Sequence, residues 1–390
     1  MNSVTRITII LFILSLASCA TIPPSSNPNI GERLKIVEVT QRISASSQGV
    51  NLIETNLSGL SLVEMNLSKA QMASAYLYRA DFSGSNLQGA DLRGADLSFA
   101  TFHNVNLRGA NLSSANLKGA DFNNSDLSNV NLTNATLEET TFDRSLLKNA
   151  NFANADMRNI IINESLFEGA HLQSTDLSGA KIDGADFRYA SLHNATLSQI
   201  EFLNSKFQGA SFSNSNLSRS DFRACTINDA DLSFTMASEV NFSGTDLQGS
   251  IFLHSDMTGA TFTKANMAHA NLTNAIFNQA VMREVNLSNS IITKAELQEA
   301  DLHRSSFVNA KITDTNLTKA ILTSTNFFKA QLISSNMTEA DLSNANLQEA
   351  DIENSTFTNA DVSGSNFTLI RNIDSAVGMK DAKNIDNAKF

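Results

Sequence analysis

The sequence predicts an all-β solenoid in which short extended segments turn a corner every five residues and four segments close one square coil. Three observations predict it. From Leu52 to Phe367 a large apolar residue returns at every fifth position, and of those 64 positions only Ala237 is not Leu, Phe, Met, Ile or Val. Fourteen Gly fall in this stretch, each two residues after the apolar position. Phenylalanine at the apolar position returns at intervals of 20, at Phe82, Phe102, Phe122 and Phe142 and again at Phe202, Phe222, Phe242 and Phe262.

A period of five suits neither a helix at 3.6 residues per turn nor a strand at 2, so the backbone must bend once per unit. Gly, Asn and Ser, which dominate the slot two after the apolar residue, are the residues that tolerate turn dihedrals. The 20-residue return of Phe becomes a vertical column of rings if four units make a coil. Two residues before each large residue sits a small one, as in Ala80, Ser85, Ala90 and Ala95, with Cys225 in one such slot. Between them Asp or Asn is commonest, placed outward where its side chain can accept hydrogen bonds from nearby backbone. Sixteen coils at ~4.8 Å each make a rod of ~77 Å. An Asp at an inward slot such as Leu217 is expected to cost several kcal/mol.

The composition fits. The chain has 390 residues, 42% hydrophobic but only 17% charged, with two Cys and three Pro. That charge is below the usual ~25% without the low hydrophobicity of a disordered chain. Two Cys exclude a disulfide scaffold, and Gly without a triplet period excludes collagen. No Pro falls within the repeats, as a ladder that needs every backbone N–H requires.

Tandem A(D/N)LXX units, such as Ala90-Asp91-Leu92 and Ala110-Asn111-Leu112, resemble the pentapeptide-repeat proteins. The resemblance runs from Val50 to about Thr368. It implies a right-handed quadrilateral β-helix of about sixteen coils, with the small and large residues inward and the other three outward. It also brings the expectation, from relatives that imitate DNA, of a regulator that binds a topoisomerase.

Outside the repeats the chain divides into residues 1–18, 19–49 and 369–390. Met1–Arg6 followed by the apolar run Ile7–Leu16 is too short to span a bilayer and reads as a signal segment. It ends Leu16-Ala17-Ser18-Cys19, which resembles a bacterial lipobox. The resemblance implies cleavage before Cys19, lipidation on it and, with Ala20 rather than Asp next, delivery to the outer membrane at its periplasmic or surface side. Pro23, Pro24 and Pro28 then read as an extended tether. Ile30–Gly49 is expected to cap the stack, its helical and strand signals being balanced. Residues 369–390 leave the five-residue register, and Ile370, Ile373, Val377, Met379 and Phe390 are candidates to close the other end.

Candidates for chemistry are sparse. Of six His, the nearest pair is His171 and His193, on one face in consecutive coils with no Cys or carboxylate pair supplied by the pattern. A metal site takes three or four convergent ligands. Cys225, in an inward slot, reads as packing, because a reactive thiol needs an accessible electropositive setting. No catalytic residue, metal ligand or cofactor is assigned.

The repeats carry 34 acids and 20 bases, a net of −14 within the chain's −11. By face the balance is −6 for the Phe82 face, 0 for Leu87, −3 for Leu92 and −5 for Leu97. A DNA mimic ~77 Å long needs ~45 negative charges at one per ~1.7 Å, so this rod has under a third. With the export signal, that disfavours nucleic-acid mimicry. The Leu92 face is poor in charge and places Ile251, Leu253, Ile291 and Ile333 at outward slots, which read either as a contact patch or as scattered single apolar residues of the kind any surface carries. The expectation is a non-enzymatic, lipid-anchored envelope protein presenting a rigid rod to an unidentified protein partner, with pairing of two copies left open. An envelope enzyme is the remaining alternative, and no site for one is found.

Overall fold

The computed structural model describes residues 31–390; residues 1–30, with Cys19, the three prolines and the expected signal segment and tether, fall outside the described residues. From residue 50 the chain is a right-handed quadrilateral β-helix. Residue i pairs in parallel with residue i+20, from Asn51↔Gln71 through Asn346↔Asn366. On the Leu92 face the ladder runs from Asn51 to Arg371, 320 residues at 20 per coil, hence sixteen steps. In each step the large residue donates forward and the residue before it donates back, as Leu52 N–H to Gln71 O at 2.7 Å and Gln71 N–H to Val50 O at 2.8 Å. Short strands appear where three consecutive residues pair. These are β1–β4 (Thr141–Asp143, Ile161–Asn163, Lys181–Asp183, Glu201–Leu203) on the Phe82 face and β5–β7 (Ile291–Thr293, Lys311–Thr313, Gln331–Ile333) on the Leu92 face, all parallel.

The corners share a left-handed residue. All 64 residues two after the large position have positive φ, the 14 Gly and 50 others. In the common form the small residue that follows donates back to the large residue's carbonyl, as Ala90 N–H to Leu87 O at 3.0 Å. A left-handed φ crowds Cβ against the backbone, most of all when Cβ is branched. None of the 64 corner residues is Val, Ile or Thr, although Thr is common at the other outward slots. The Asp or Asn before the large residue supports the same bend. Its Oδ1 accepts the N–H two residues on, as Ser83 N–H to Asp81 at 2.9 Å and Ser113 N–H to Asn111 at 3.1 Å.

Inside, four columns of large side chains are fully buried, and the Phe columns stack. Ring centroids along Phe82, Phe102, Phe122 and Phe142 lie 5.0, 4.5 and 5.1 Å apart and nearly parallel. Serines in the small slots replace a missing corner bond. Where Ser145 N–H makes no bond to Phe142, it donates to Ser165 Oγ in the next coil at 2.9 Å, and Ser165 Oγ donates to Phe142 O at 3.2 Å. Ser165→Ala is therefore expected to cost about 1–3 kcal/mol by orphaning a buried N–H. Ser215→Ala is the control, because its buried hydroxyl has no hydrogen-bond partner and its backbone keeps the ordinary corner bond. Denaturant melts separate the two, and equal effects would contradict the serine's role.

Both ends are covered. At the first coil, helix α1 (Ile36–Ser44) lies over the stack with Val39 fully buried. Arg33 pairs with Asn56, and its guanidinium donates to Gly59 O at 2.9 Å. At the far end the chain does not leave the ladder. Arg371, Val377, Lys383 and Lys389 pair with Asp351, Thr356, Asp361 and Asn366, so the last coil has six residues per side. The extra residue makes a 3-10 turn, entered through a left-handed residue at Asn372, Gly378 and Asn384. Met379 and Ala382 are buried, and Ile370, Ile373, Ala376, Ile385 and Ala388 pack against the core. Val377 is exposed, and Phe390, though exposed, stacks on Phe367 at 5.2 Å.

Candidate interaction face

The four sides of the rod differ in what they show to solvent. Sorted by face, the outward slots hold 18 charged residues on the Phe82 face, 12 on Leu87, 15 on Leu97 and nine on Leu92. Net charge conceals this, because the neutral Leu87 face carries six acids and six bases. On the Leu92 face eight of the nine lie toward the ends. From Asn111 to Thr293, over nine coil steps or ~43 Å, Asp231 is the only charged outward residue.

What fills the face instead is neutral. Its first half is Asn111, Asn131, Asn151, His171, Ser191 and Ser211 in one column and Ser113, Thr133, Ala153, Gln173, His193 and Ser213 in the other. The amide oxygens of Asn111, Asn131 and Asn151 are taken by backbone N–H groups, which turns their NH2 groups outward. Its second half mixes Asp231, Ser233, Asn271, Thr273 and Thr293 with three apolar residues. Ile251 and Leu253 flank buried Phe252, and Ile291 follows two coils on. Ile251 and Ile291 are exposed, while Leu253 is half-buried. At the corner beside them Phe234, 53% exposed at φ 59°, lies flat on His254 with centroids 5.0 Å apart. A bulky side chain that is both solvent-exposed and held at left-handed φ is costly on two counts and marks a candidate contact. Met236 and Ile276 extend the patch around the corner onto the Leu97 face.

The sequence reading placed Ile251, Leu253 and Ile291 on this face and missed Phe234, Met236 and Ile276, which the same outward-slot count would have found. Ile333 is half-buried beside Leu332, four coils from Leu253 and separated from the patch by the Lys311 coil, so it does not join the others.

Several titratable groups, on this face and the others, are engaged locally. His171 and His193 each contact the polar residue two away in sequence, Gln173 at 3.3 Å and Ser191 at 2.9 Å, and not each other. His103 meets Asp121 at 2.6 Å. Among the described residues no group of His, Cys, Asp and Glu is arranged to hold a metal. Cys225 is buried with its thiol on Phe202 O at 3.0 Å, and burial pushes the thiol up to about 12. Several acids are paired within their own unit. Arg93 and Arg158 hydrogen-bond Asp91 and Asp156, two residues before them, and hold those carboxyls below the usual range. Near the N-terminal end Tyr78 and Phe99 meet edge to face at 6.0 Å with Arg79 over both rings.

Among solved structures, HetL, a pentapeptide repeat protein involved in heterocyst differentiation regulation from the cyanobacterium Nostoc, is 23% identical, covering 74% of this chain and 97% of that one with a TM-score of 0.21. QnrB1, a plasmid-mediated fluoroquinolone resistance protein, is 20% identical over 50% of this chain and 92% of that one, TM-score 0.21. Rfr23 from the cyanobacterium Cyanothece is 22% identical over 40% of this chain and 99% of that one, TM-score 0.23. No curated protein sequence matches the chain. The family models are more telling, because they follow the same five-residue register that builds the coils. Pentapeptide repeats match in overlapping copies at 48–113 and 162–370, and a pentapeptide repeat region matches at 95–172. With its sequence period, its ladder and these matches in one register, the chain belongs to the pentapeptide repeat family.

Proposed function

We propose that this protein is a non-enzymatic scaffold, anchored in the bacterial envelope by lipid on Cys19, that presents the Leu92 face of a rigid rod to a protein partner. The observation that carries the reading is the clearance of charge from ~43 Å of that one face, ending in Phe234, Ile251, Leu253 and Ile291. Charged residues are depleted at the cores of protein interfaces, and aromatic and apolar residues are enriched there. The anchor is supported by the Leu-Ala-Ser-Cys run at the end of a short apolar segment. A topoisomerase-binding DNA mimic is the weaker reading, because the acids are few for the rod's length and several are paired with arginines in their own unit.

Two experiments test the proposal. Palmitate labels the wild type and not Cys19→Ser; equal labelling of both would remove the anchor. Affinity recovery from solubilised membranes brings down a stoichiometric protein, reduced at least ~tenfold by Ile251→Lys or Ile291→Lys. Each places an unpaired charge in a desolvated contact, and every tenfold loss corresponds to about 1.4 kcal/mol. Undiminished recovery with both variants would exclude this face.

A further inference from the structure

The backbone and the end charges of the Leu92 face narrow what it binds. We propose that the stretch from Asp231 to Lys311 holds one amphipathic helix of another protein, lying along the rod with its N-terminal end at Asp231 and its C-terminal end at Lys311. The inference rests on the reading that this face is the protein's contact surface.

The occupant must bring its own backbone partners. Coil backbone bonds run up the rod, as Ile251 N–H to Ala230 O at 2.9 Å and Phe252 N–H to Asn271 O at 2.7 Å, so this side has no open strand edge for an extended segment to pair with. An extended chain laid over Ile251 and Leu253 would bury unpaired N–H and C=O groups, whereas a helix satisfies its own. The size fits one helix. Three residues of strand make the side ~10 Å wide, and a helix with its side chains is ~10–12 Å across. Asp231, Ile251, Asn271, Ile291 and Lys311 form one ladder column of four coil steps, ~19 Å, the length of about 13 helical residues. Within that length Phe234, Ile251, Leu253 and Ile291 meet the apolar stripe of such a helix, and Phe234, flat on His254, is the exposed aromatic anchor.

The two ends of the stretch carry opposite charge. At one end Asp231 and, on the adjoining corner, Asp229 give −2; at the other Lys294 and Lys311, less Asp314, give +1. Among the described residues none of these five joins an ion pair within the rod. Asp231 accepts Ser233 N–H at 3.0 Å and Asp229 the Asn228 amide at 3.0 Å, so both stay available as anions. A helix carries about half a positive charge at its N-terminus and half a negative one at its C-terminus, so it complements the stretch in one sense only. A second copy of this chain does not supply that helix. Its one α-helix among the described residues, α1, already buries Val39 on its own first coil.

The test uses full-length protein in phosphatidylcholine discs, with empty discs as background. The probe is a synthetic peptide of about four turns, stapled on its polar side to hold the helix, with Leu along one side, Lys in its first turn and Glu in its last. A second peptide has the two charged turns exchanged. Fluorescence anisotropy should show the first binding at least ~tenfold more tightly, and Asp231→Lys combined with Lys311→Glu should reverse the preference, a rescue that misfolding would not allow. Phe234→Asn should weaken binding at least ~tenfold while melting like the wild type, because Asn suits this corner, as Asn214 and Asn274 do in the same column. Equal binding of the two peptides, equal binding of an unstapled form broken by a central proline, or undiminished binding to Phe234→Asn would overturn the proposal. Recovery of the partner from membranes separates the two ideas. Recovery lost with Ile251→Lys when neither peptide binds removes the helix and keeps the face. Oriented peptide binding with recovery untouched by Ile251→Lys and Ile291→Lys supports the helix site and removes the face as the contact of the recovered protein.

Discussion

Leu217→Asp should split the rod's unfolding into two transitions. Leu217 is fully buried at mid-stack on the Leu97 face, and the coils above and below leave no water or cation for a carboxylate. Burial raises a carboxyl pKa by about three units, each worth about 1.36 kcal/mol, so holding the charge or giving it up at pH 7 costs about 4 kcal/mol. Loss of the leucine's packing adds about 2–5 kcal/mol. In a stack each coil is supported only by its neighbours, so the damage stays local and the halves on either side keep their own contacts. The folded-state pKa lies above the unfolded value. The penalty is therefore smallest below the unfolded pKa, near 4, and grows as pH rises through the folded one. A calorimetric melt at pH 7 with one wild-type-like transition would show that this slot does not face inward.

Phe222→Ala should cost about 3–5 kcal/mol, the range for removing a fully buried ring. It exceeds most other truncations in the stack because Phe222 joins three columns. Its ring stacks on Phe202 at 4.5 Å and Phe242 at 5.1 Å, and meets Phe207 and Phe212 edge-on at 5.7 and 5.9 Å. Phe307, whose stacked partner is Phe327 alone among these contacts, should lose less on the same change. Chemical denaturation of the two variants tests the order, and a larger loss at Phe307 would contradict the packing described.

Most of this fold could be read in the chain because its period is written at every unit. The large residue marks the inside, Gly marks the corner, and Phe spaced by 20 counts the sides. The corner's left-handed φ also explains what the sequence avoids there, since branched Cβ atoms cannot be accommodated cheaply. The final coil was hidden by a change of period. Arg371, Val377, Lys383 and Lys389 are six apart, as are Ala376, Ala382 and Ala388, and a search at five sees only lost register. Val377, expected to close the end, instead occupies an outward ladder position. At the other end the choice between helix and strand for residues 36–44 was decided by tertiary contact, the burial of Val39 on the first coil. The candidate face was half legible. Net charge per face points instead to the neutral Leu87 face; only a count of charges in the outward slots shows the cleared stretch, and only the folded corner brings Phe234 and His254 together.

The central claim, that one side of the rod is its working surface, is tested most directly within a single coil. Leu203, Gln208, Ser213 and Ser218 occupy the same outward slot on the Phe82, Leu87, Leu92 and Leu97 faces, and none is buried. Four proteins, each with one of these changed to Glu, are recovered from membranes with whatever they bind. The account predicts that Ser213→Glu alone loses its associated protein, at least ~tenfold, with the other three near wild type. Equal recovery from all four, or a loss that follows another face, would contradict it.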